Sequence, residues 1–217
     1  YELAEDKFSA GSIEQGIDQL EVILAAYPGS KYAIQARLDI AYNLFKRKKY
    51  KRAILALDEF IERYPALSST PYAYYLRGVI AEEKSASILD EIITDSAQRD
   101  VQSVRDAYSY FSLLIDTFPD SKYSEEASNK LVALKNVLAR HEFYVALYYT
   151  SIGSHIAAIN RSKYIIENYP NSPSVADGLH LMAHNYDAIN AEELAKDART
   201  VLYASYPNYS PNYKIDK

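Results

Sequence analysis

Two histidines, His180 and His184, stand four residues apart in a stretch with helical periodicity, with Asp177 and Asp187 on about the same face. Histidines at that spacing lie one turn apart on a helix and can share a metal ion. No glutamate follows His180 as in the metalloprotease pattern, and no third ligand is evident. We therefore read the pair as a polar stripe facing a groove or a partner, and expect no metal. The run Lys46-Arg47-Lys48-Lys49, continued by Lys51 and Arg52, is the dense basic patch of the chain. It could attract anionic lipid or phosphate. The reading we prefer is a solvated turn between two helices, with its cations placed favourably near a helix C-terminus. Carboxylates are plentiful, but none is paired in a context of buried acid–base work. The chain has no P-loop, no GxGxxG and no GxSxG, and it contains no cysteine. Thiolate metal sites, disulfides and cysteine nucleophiles are thereby excluded. We expect no catalytic residue and no cofactor: the chain is not read as an enzyme.

What remains is a surface for binding, and composition bounds its chemistry. Hydrophobic residues make up 48% and charged residues 24% of the 217, a balance that argues against disorder. A net charge of −5 gives no pull toward nucleic acid. Six glycines and eight prolines are few for a loop-rich all-β fold. Aromatic content is skewed, with 22 Tyr, 6 Phe and no Trp. Tyrosine has a broad apolar face and one polar tip, which suits half-buried helix contacts and peptide grooves. No apolar run approaches the roughly 18 residues of a membrane span. The chain starts at Tyr1 without a methionine, which reads as a processed or trimmed product with any targeting segment or lipid anchor out of view.

The elements that would position such a surface are repeats. An aromatic–proline pair recurs at Tyr27-Pro28, Tyr64-Pro65, Phe118-Pro119, Tyr169-Pro170 and Tyr206-Pro207, with the prolines 37, 54, 51 and 37 residues apart. Twelve residues before each proline the residue is small: Gly16, Ala53, Ala107, Ala158 and Ala195. Five before, it is large and apolar: Ile23, Phe60, Leu114, Ile165 and Leu202. Twenty-four before, four of five are alanine: Ala4, Ala41, Ala146 and Ala183. Small residues belong where two helix backbones cross closely, large ones fill the next layer, and proline stops the second helix. These offsets are those of the tetratricopeptide repeat, and in the second copy Ile40-Ala41, Leu44, Tyr50, Ala53, Leu57, Phe60 and Pro65 fall on its consensus positions. The fold class is all-α, an α-solenoid of about five tetratricopeptide-type repeats. We expect one domain over 1–217, with repeats at approximately 1–28, 29–65, 66–119, 120–170 and 171–207 and a frayed tail at 208–217.

Helix starts agree with this division. Thr70-Pro71 and Ser172-Pro173 each place a hydroxyl before proline in the manner of an N-cap, and Ser12 with Gln15 can form a capping box. The uneven spacings locate two insertions. Between Pro119 and Pro170 there are 14 more residues than in the 37-residue unit, close to four helical turns, and no Gly or Pro interrupts 120–152. One long helix from about Tyr123 to Ser151, ending at Gly153, should bridge repeats three and four. The 17 additional residues before Pro119 are placed around Ser87–Arg99, as a loop or short helix docking on the stack.

Stacked first helices line a concave face, the usual binding surface of such an array. Repeat positions put Glu5 and Phe8 there from repeat one, Gln35, Leu38, Tyr42 and Phe45 from repeat two, and Tyr72, Tyr75, Val79 and Glu82 from repeat three. A groove so rich in aromatic residues suits an extended peptide with aromatic side chains. The same positions serve equally well in packing neighbouring helices.

Several motifs go beyond a generic repeat. They are Tyr74-Tyr75-Leu76-Arg77-Gly78 with Arg99-Asp100; Phe118-Pro119-Asp120-Ser121-Lys122-Tyr123; and Leu138-Ala139-Arg140-His141-Glu142, followed by Val145-Ala146, Tyr148-Tyr149, Gly153, Ala158 and Asn160-Arg161. On these the chain resembles, over nearly its whole length, the BamD family, lipoproteins of the β-barrel assembly machinery of Gram-negative outer membranes. That family has five such repeats, with an elongated connection where this chain has its 14 extra residues. The resemblance implies a site at the periplasmic face of the outer membrane, reached through an N-terminal lipid anchor that this cysteine-free chain does not contain. It implies three partners: the POTRA region of the barrel-forming subunit, other assembly lipoproteins, and unfolded outer-membrane proteins bound through a C-terminal signal ending in an aromatic residue. The C-terminal half would dock the barrel subunit, with Arg161 the first interface candidate and His180 and His184 the next.

Two other readings stay open on residues alone. A cytosolic or periplasmic adaptor or co-chaperone would hold a peptide in the same groove; a lysine/arginine clamp for an acidic terminus is disfavoured by the aromatic, apolar and polar residues there. An enzyme using the repeats as a platform would need a nucleophile and a base that nothing here supplies together.

Overall fold

Ala53, Leu57 and Phe60 are spaced so that winding 50–63 into a helix puts all three on one face, and all three are fully buried. The same logic runs through the chain. The computed structural model describes residues 1–89 and 101–215. Among these residues the regular elements are α1 (Glu2–Ser9), α2 (Ile13–Ala26), α3 (Lys31–Lys46), α4 (Tyr50–Arg63), α5 (Thr70–Leu89), α6 (Gln102–Thr117), α7 (Ser124–Ser151), α8 (His155–Asn168), α9 (Ser174–Ala188) and α10 (Glu192–Ser205). The fold is all-α, with helices paired in the tetratricopeptide manner. The aromatic residue of each aromatic–proline pair follows the last residue of α2, α4, α6, α8 or α10. The small residues at the crossing positions are buried without exception, as are the alanines twenty-four residues before the prolines.

Helices α7 and α5 are the longest. α7 spans 28 residues, from Ser124 to Ser151, as the spacing predicts. It ends at Gly153, whose φ of +73° is the left-handed conformation that closes a helix. There Ser154 N–H reaches back to Tyr149 O at 2.8 Å. Three other first helices end the same way, at Gly11 (φ +77°), Lys48 (φ +56°) and Asn190 (φ +59°). The bonds are Ser12 N to Lys7 O, Lys49 N to Leu44 O and Ala191 N to Tyr186 O. The basic run is thus the turn after α3, and Lys48 holds a conformation that costs a side-chain-bearing residue roughly 1 kcal/mol.

Two expectations about helix starts are corrected. Ser12 precedes α2, but its side chain makes no cap hydrogen bond; its ψ of 62° turns the residue away from the extended conformation that aims a capping oxygen. Thr70 does not cap α5 as an acceptor either. Its hydroxyl donates backwards to Tyr64 O, and Ser124 Oγ does the same to Phe118 O at 2.6 Å. Both bonds satisfy a carbonyl left open where the preceding helix stops. Ser172 accepts from Ser174 N–H at 3.3 Å, but from one residue before the N-cap position, which Pro173 holds. The expected insert at Ser87–Arg99 begins as a continuation of α5 through Leu89; the rest of it lies outside the described residues.

The helices form two compact units. Unit 1 is Tyr1–Ile88 with Asp106–Leu131; unit 2 holds Leu89, 101–105 and 132–215 of the described residues, so α6 and α7 contribute to both. Ile17, Leu20, Leu44, Leu57, Phe60 and Ile80 are at the centre of unit 1. In unit 2, Phe143, Ile165, Leu179, Leu181 and Leu202 fill the core. Tyr209, Tyr213 and Ile215 pack onto that core, so the tail, expected to fray, is docked. Its aromatic side chains find apolar partners on α7 and α9, which its polar residues and Pro211 do not suggest.

Candidate functional site

Unit 1 presents the face on which the sequence places a peptide groove, and aromatic rings dominate it. Tyr72 and Tyr75, one turn apart on α5, both meet Tyr123 at the end of the α6–α7 connection. Tyr75 and Tyr123 stack at 5.1 Å with 21° between planes, and Tyr72 lies 5.7 Å from Tyr123. Tyr75 also touches Phe111, and its hydroxyl donates to Glu126 at 2.5 Å. Burial raises the phenol pKa of Tyr72, and the neighbouring Tyr42, Tyr123 and Asp39 push in the same direction, so its hydroxyl stays protonated.

Gln35, Leu38 and Tyr72, with Ser121, Lys122 and Tyr123, line an open depression of about 420 Å³. Leu38 is its buried floor, while Gln35 at the rim is oriented by its bond to Asp39 at 2.9 Å. Lys122 supplies a cation there, 5.0 Å from the Tyr123 ring. Tyr42 and Phe45 follow along α3 in edge contact at 6.4 Å, with Tyr42 40% exposed. Glu5 lines a separate depression of about 860 Å³ with Tyr1, Leu3, Tyr27 and Tyr32. Phe8 turns inward instead and lies over Gly16, where an added Cβ would fall 2.4 Å from its ring. Val79 is half-buried in α5. Glu82 pairs with Lys130 at 2.7 Å, an internal tie between α5 and α7.

Repeat positions alone pass over Lys122 and Tyr123, which precede α7, and over Glu126, because they assign the groove to the first helices of repeats one to three. Tyr123 stands in the Phe118–Tyr123 motif, which was a signal for it. Arg77, in the other quoted motif, is held between the rings of Tyr110 (4.1 Å) and Tyr74 (5.3 Å) and pairs with Asp58. It is built into the packing.

In unit 2, Arg161 on α8 donates to Glu142 Oε2 on α7 at 2.9 Å, and Arg105 sits 3.5 Å from Oε1. The Glu142 side chain is 3% exposed and that of Arg161 44%. One buried carboxylate thus holds two partly exposed guanidinium groups at the surface. His180 and His184 lie one turn apart on α9, His184 exposed and His180 half-buried under the tail. His180 Nδ1 lies 2.7 Å from the Tyr213 hydroxyl, and Asp177 accepts from Tyr209 at 2.7 Å. Burial lowers the pKa of His180, with His184 adding to the effect; His184 is lowered by partial burial and by His155. Burial raises Asp177. Among the described residues no group of three His, Cys, Asp or Glu could hold a metal ion. None of their helices is long and apolar enough to cross a membrane.

A family model described as an outer membrane lipoprotein, YfiO, matches residues 1–202. The chain belongs to this family of outer-membrane lipoproteins. The outer membrane protein assembly factor BamD of Neisseria gonorrhoeae is 33% identical over 208 residues, covering 95% of this chain and 78% of that protein. BamD of Xylella fastidiosa is 32% identical over 188 residues, covering 86% of this chain and 64% of that protein. BamD of Haemophilus influenzae is 30% identical over 196 residues, with 90% and 75% covered. Membership bears out the resemblance drawn from the motifs. It places the chain at the outer membrane.

Proposed function

We propose that this chain is a scaffold of the outer-membrane protein assembly complex. In this reading it binds the POTRA region of the barrel-forming subunit, works beside other assembly lipoproteins, and holds unfolded outer-membrane proteins to promote their folding and insertion. The observation that carries the proposal is the similarity to proteins named as assembly factors, which extends over 95% of the chain in the first of them.

The face of unit 1 supports the substrate half of the proposal. An extended peptide ending in an aromatic residue would lay its ring against Tyr72 and Tyr123, over the Leu38 floor, and its terminal carboxylate beside Lys122. Gln35 would bond the peptide backbone, and Tyr42 and Phe45 would continue the aromatic surface. Tyr75 supports this face by stacking on Tyr123, and Val79 and Glu82 follow along α5; Glu5 lines the separate depression beside Tyr1, and Phe8 packs over Gly16. For the partner half, Arg161 offers a charge held in place by Glu142, and His184 an exposed polar tip; His180 lies alongside under the tail.

The substrate half is tested by fluorescence anisotropy with a labelled peptide copied from the last strand of an outer-membrane protein and ending in phenylalanine. Saturable binding should weaken about tenfold in the Tyr72→Ala and Tyr123→Ala variants, the loss of one aromatic contact of about 1.4 kcal/mol. Absent binding by the folded chain, or binding indifferent to both substitutions, contradicts this face as the substrate site.

A further inference from the structure

After α10 the chain turns at Pro207 and runs back over α7 and α9 of unit 2 without regular structure. Its side chains divide by position. Tyr209, Tyr213 and Ile215 are partly buried against the core, whereas Ser210, Pro211, Asn212 and Lys214 face solvent. Tyr213 and Ile215, two residues apart, point to one side as in an extended chain, and Tyr209 is a separate anchor four residues earlier, with exposed Pro211 between.

The contacts are side-chain anchors. The Tyr213 ring meets Phe143 edge-on at 4.8 Å, and its hydroxyl lies 2.7 Å from His180 Nδ1. Tyr209 donates to Asp177 Oδ1 at 2.7 Å, with its ring 5.7 Å from His180. The backbone bond from Tyr209 N to Tyr206 O, at 3.0 Å, is local to the tail. Beside Asn212 and Tyr213 a depression of about 400 Å³ continues along the same face, between Asn136, Phe143, Ser174 and Asp177.

We propose that this α7–α9 face is a second peptide-binding site, selective for segments that carry two aromatic side chains four positions apart, and that the chain's own tail is its displaceable occupant. The chemistry of the ligand is read from the occupant. Phe143 takes a ring edge-on, His180 and Asp177 each take a phenolic hydroxyl, and the depression leaves room to extend the bound segment. A tether keeps the tail at high local concentration, so a few side-chain anchors suffice to hold it and a competing segment can replace it. The residues of this site belong to unit 2 and are distinct from those of the aromatic face of unit 1. It does not rest on the role proposed above.

The test uses the full chain and a labelled synthetic peptide with the sequence of residues 206–215. Tyr209→Ala together with Tyr213→Ala should release the tail and leave the face intact. That variant should bind the peptide saturably, at least tenfold more tightly than the native chain, and should not bind a peptide carrying the same two alanines. Equal binding by the native chain and the variant, or no binding by a variant with native helix content, overturns the proposal. A second measurement avoids those alanines. The chain has no cysteine, so Asn212→Cys accepts a single environment-sensitive dye. Adding unlabelled peptide should move its emission toward that of a solvent-exposed dye, and an emission unchanged at millimolar peptide also overturns the proposal.

Discussion

Arg161 Nη1 donates to Glu142 Oε2 across the α7–α8 contact at 2.9 Å, and the acceptor is almost completely buried while the donor is nearly half exposed. The pair is therefore asymmetric: Arg161 can return to water, but Glu142 cannot. Arg161→Glu sets a second carboxylate against a buried one and should cost about 2–3 kcal/mol, toward the lower end for buried pairs because one partner is partly solvated. Arg161→Gln keeps a donor within reach and should cost about 1 kcal/mol. Urea unfolding midpoints check both values. Equal, negligible losses would mean that Arg161 is not needed to hold Glu142. A charge reversal here disturbs the fold, so the glutamine variant is the cleaner probe of partner binding.

Two helical glycines should respond in opposite directions to alanine. At Gly78 in α5 an added Cβ would lie 2.5 Å from the fully buried Phe111 ring, so the ring or the helix would have to shift. Gly78→Ala should destabilise by about 1–2 kcal/mol despite the better helix propensity of alanine. At Gly178 in α9 the nearest atoms are Ser162 O at 3.5 Å and Ile165 Cδ1 at 3.6 Å, ordinary contact distances. Gly178→Ala should stabilise by up to about 1 kcal/mol. Thermal unfolding of the two variants tests the packing; shifts of the same sign would reject it.

Stability should fall as pH drops below neutral. The folded-state pKa values of His180 and His184 lie below their ordinary value of 6.5, chiefly through burial. A base held neutral by the fold binds fewer protons there than in the unfolded chain, so its stabilisation is complete above about pH 6.5 and declines as pH falls through the folded pKa. Asp177 acts in the opposite sense. Its raised pKa favours the fold at the acid end and loses that contribution as pH rises through the folded value. His155, Asp187 and Arg199 face the pair and enter the same balance. Urea midpoints at pH 7.5 and 5.5 should differ in the native chain, and the difference should shrink when both histidines are glutamine. A double variant with the native pH dependence would contradict this account.

How far the sequence could be read depended on where each contact lies along it. The helix pairs were legible because their determinants are local: small residues twelve before each proline, large ones five before, and a Gly at 153 after an unbroken run. Contacts joining distant segments were not. Nothing near Arg161 announces that Glu142, nineteen residues earlier, is buried against it. Tyr123 lies between helices, so repeat positions pass over it. The tail's docking depends on Phe143, Asp177 and His180, residues about thirty or more positions upstream of their partners there. Polar spacers conceal the alternation of Tyr213 and Ile215. Hydroxyl direction was also beyond reach: a Thr before Pro looks like a capping acceptor, whereas Thr70 donates to the helix behind it.

The central claim, a scaffold that docks the barrel-forming subunit, is tested most directly by calorimetric titration of this chain with the POTRA region of that subunit from the same organism, in parallel with Arg161→Gln. The account predicts saturable binding by the native chain, weakened several-fold in a variant that keeps native helix content. No heat of binding at tens of micromolar, with both proteins folded, would contradict it.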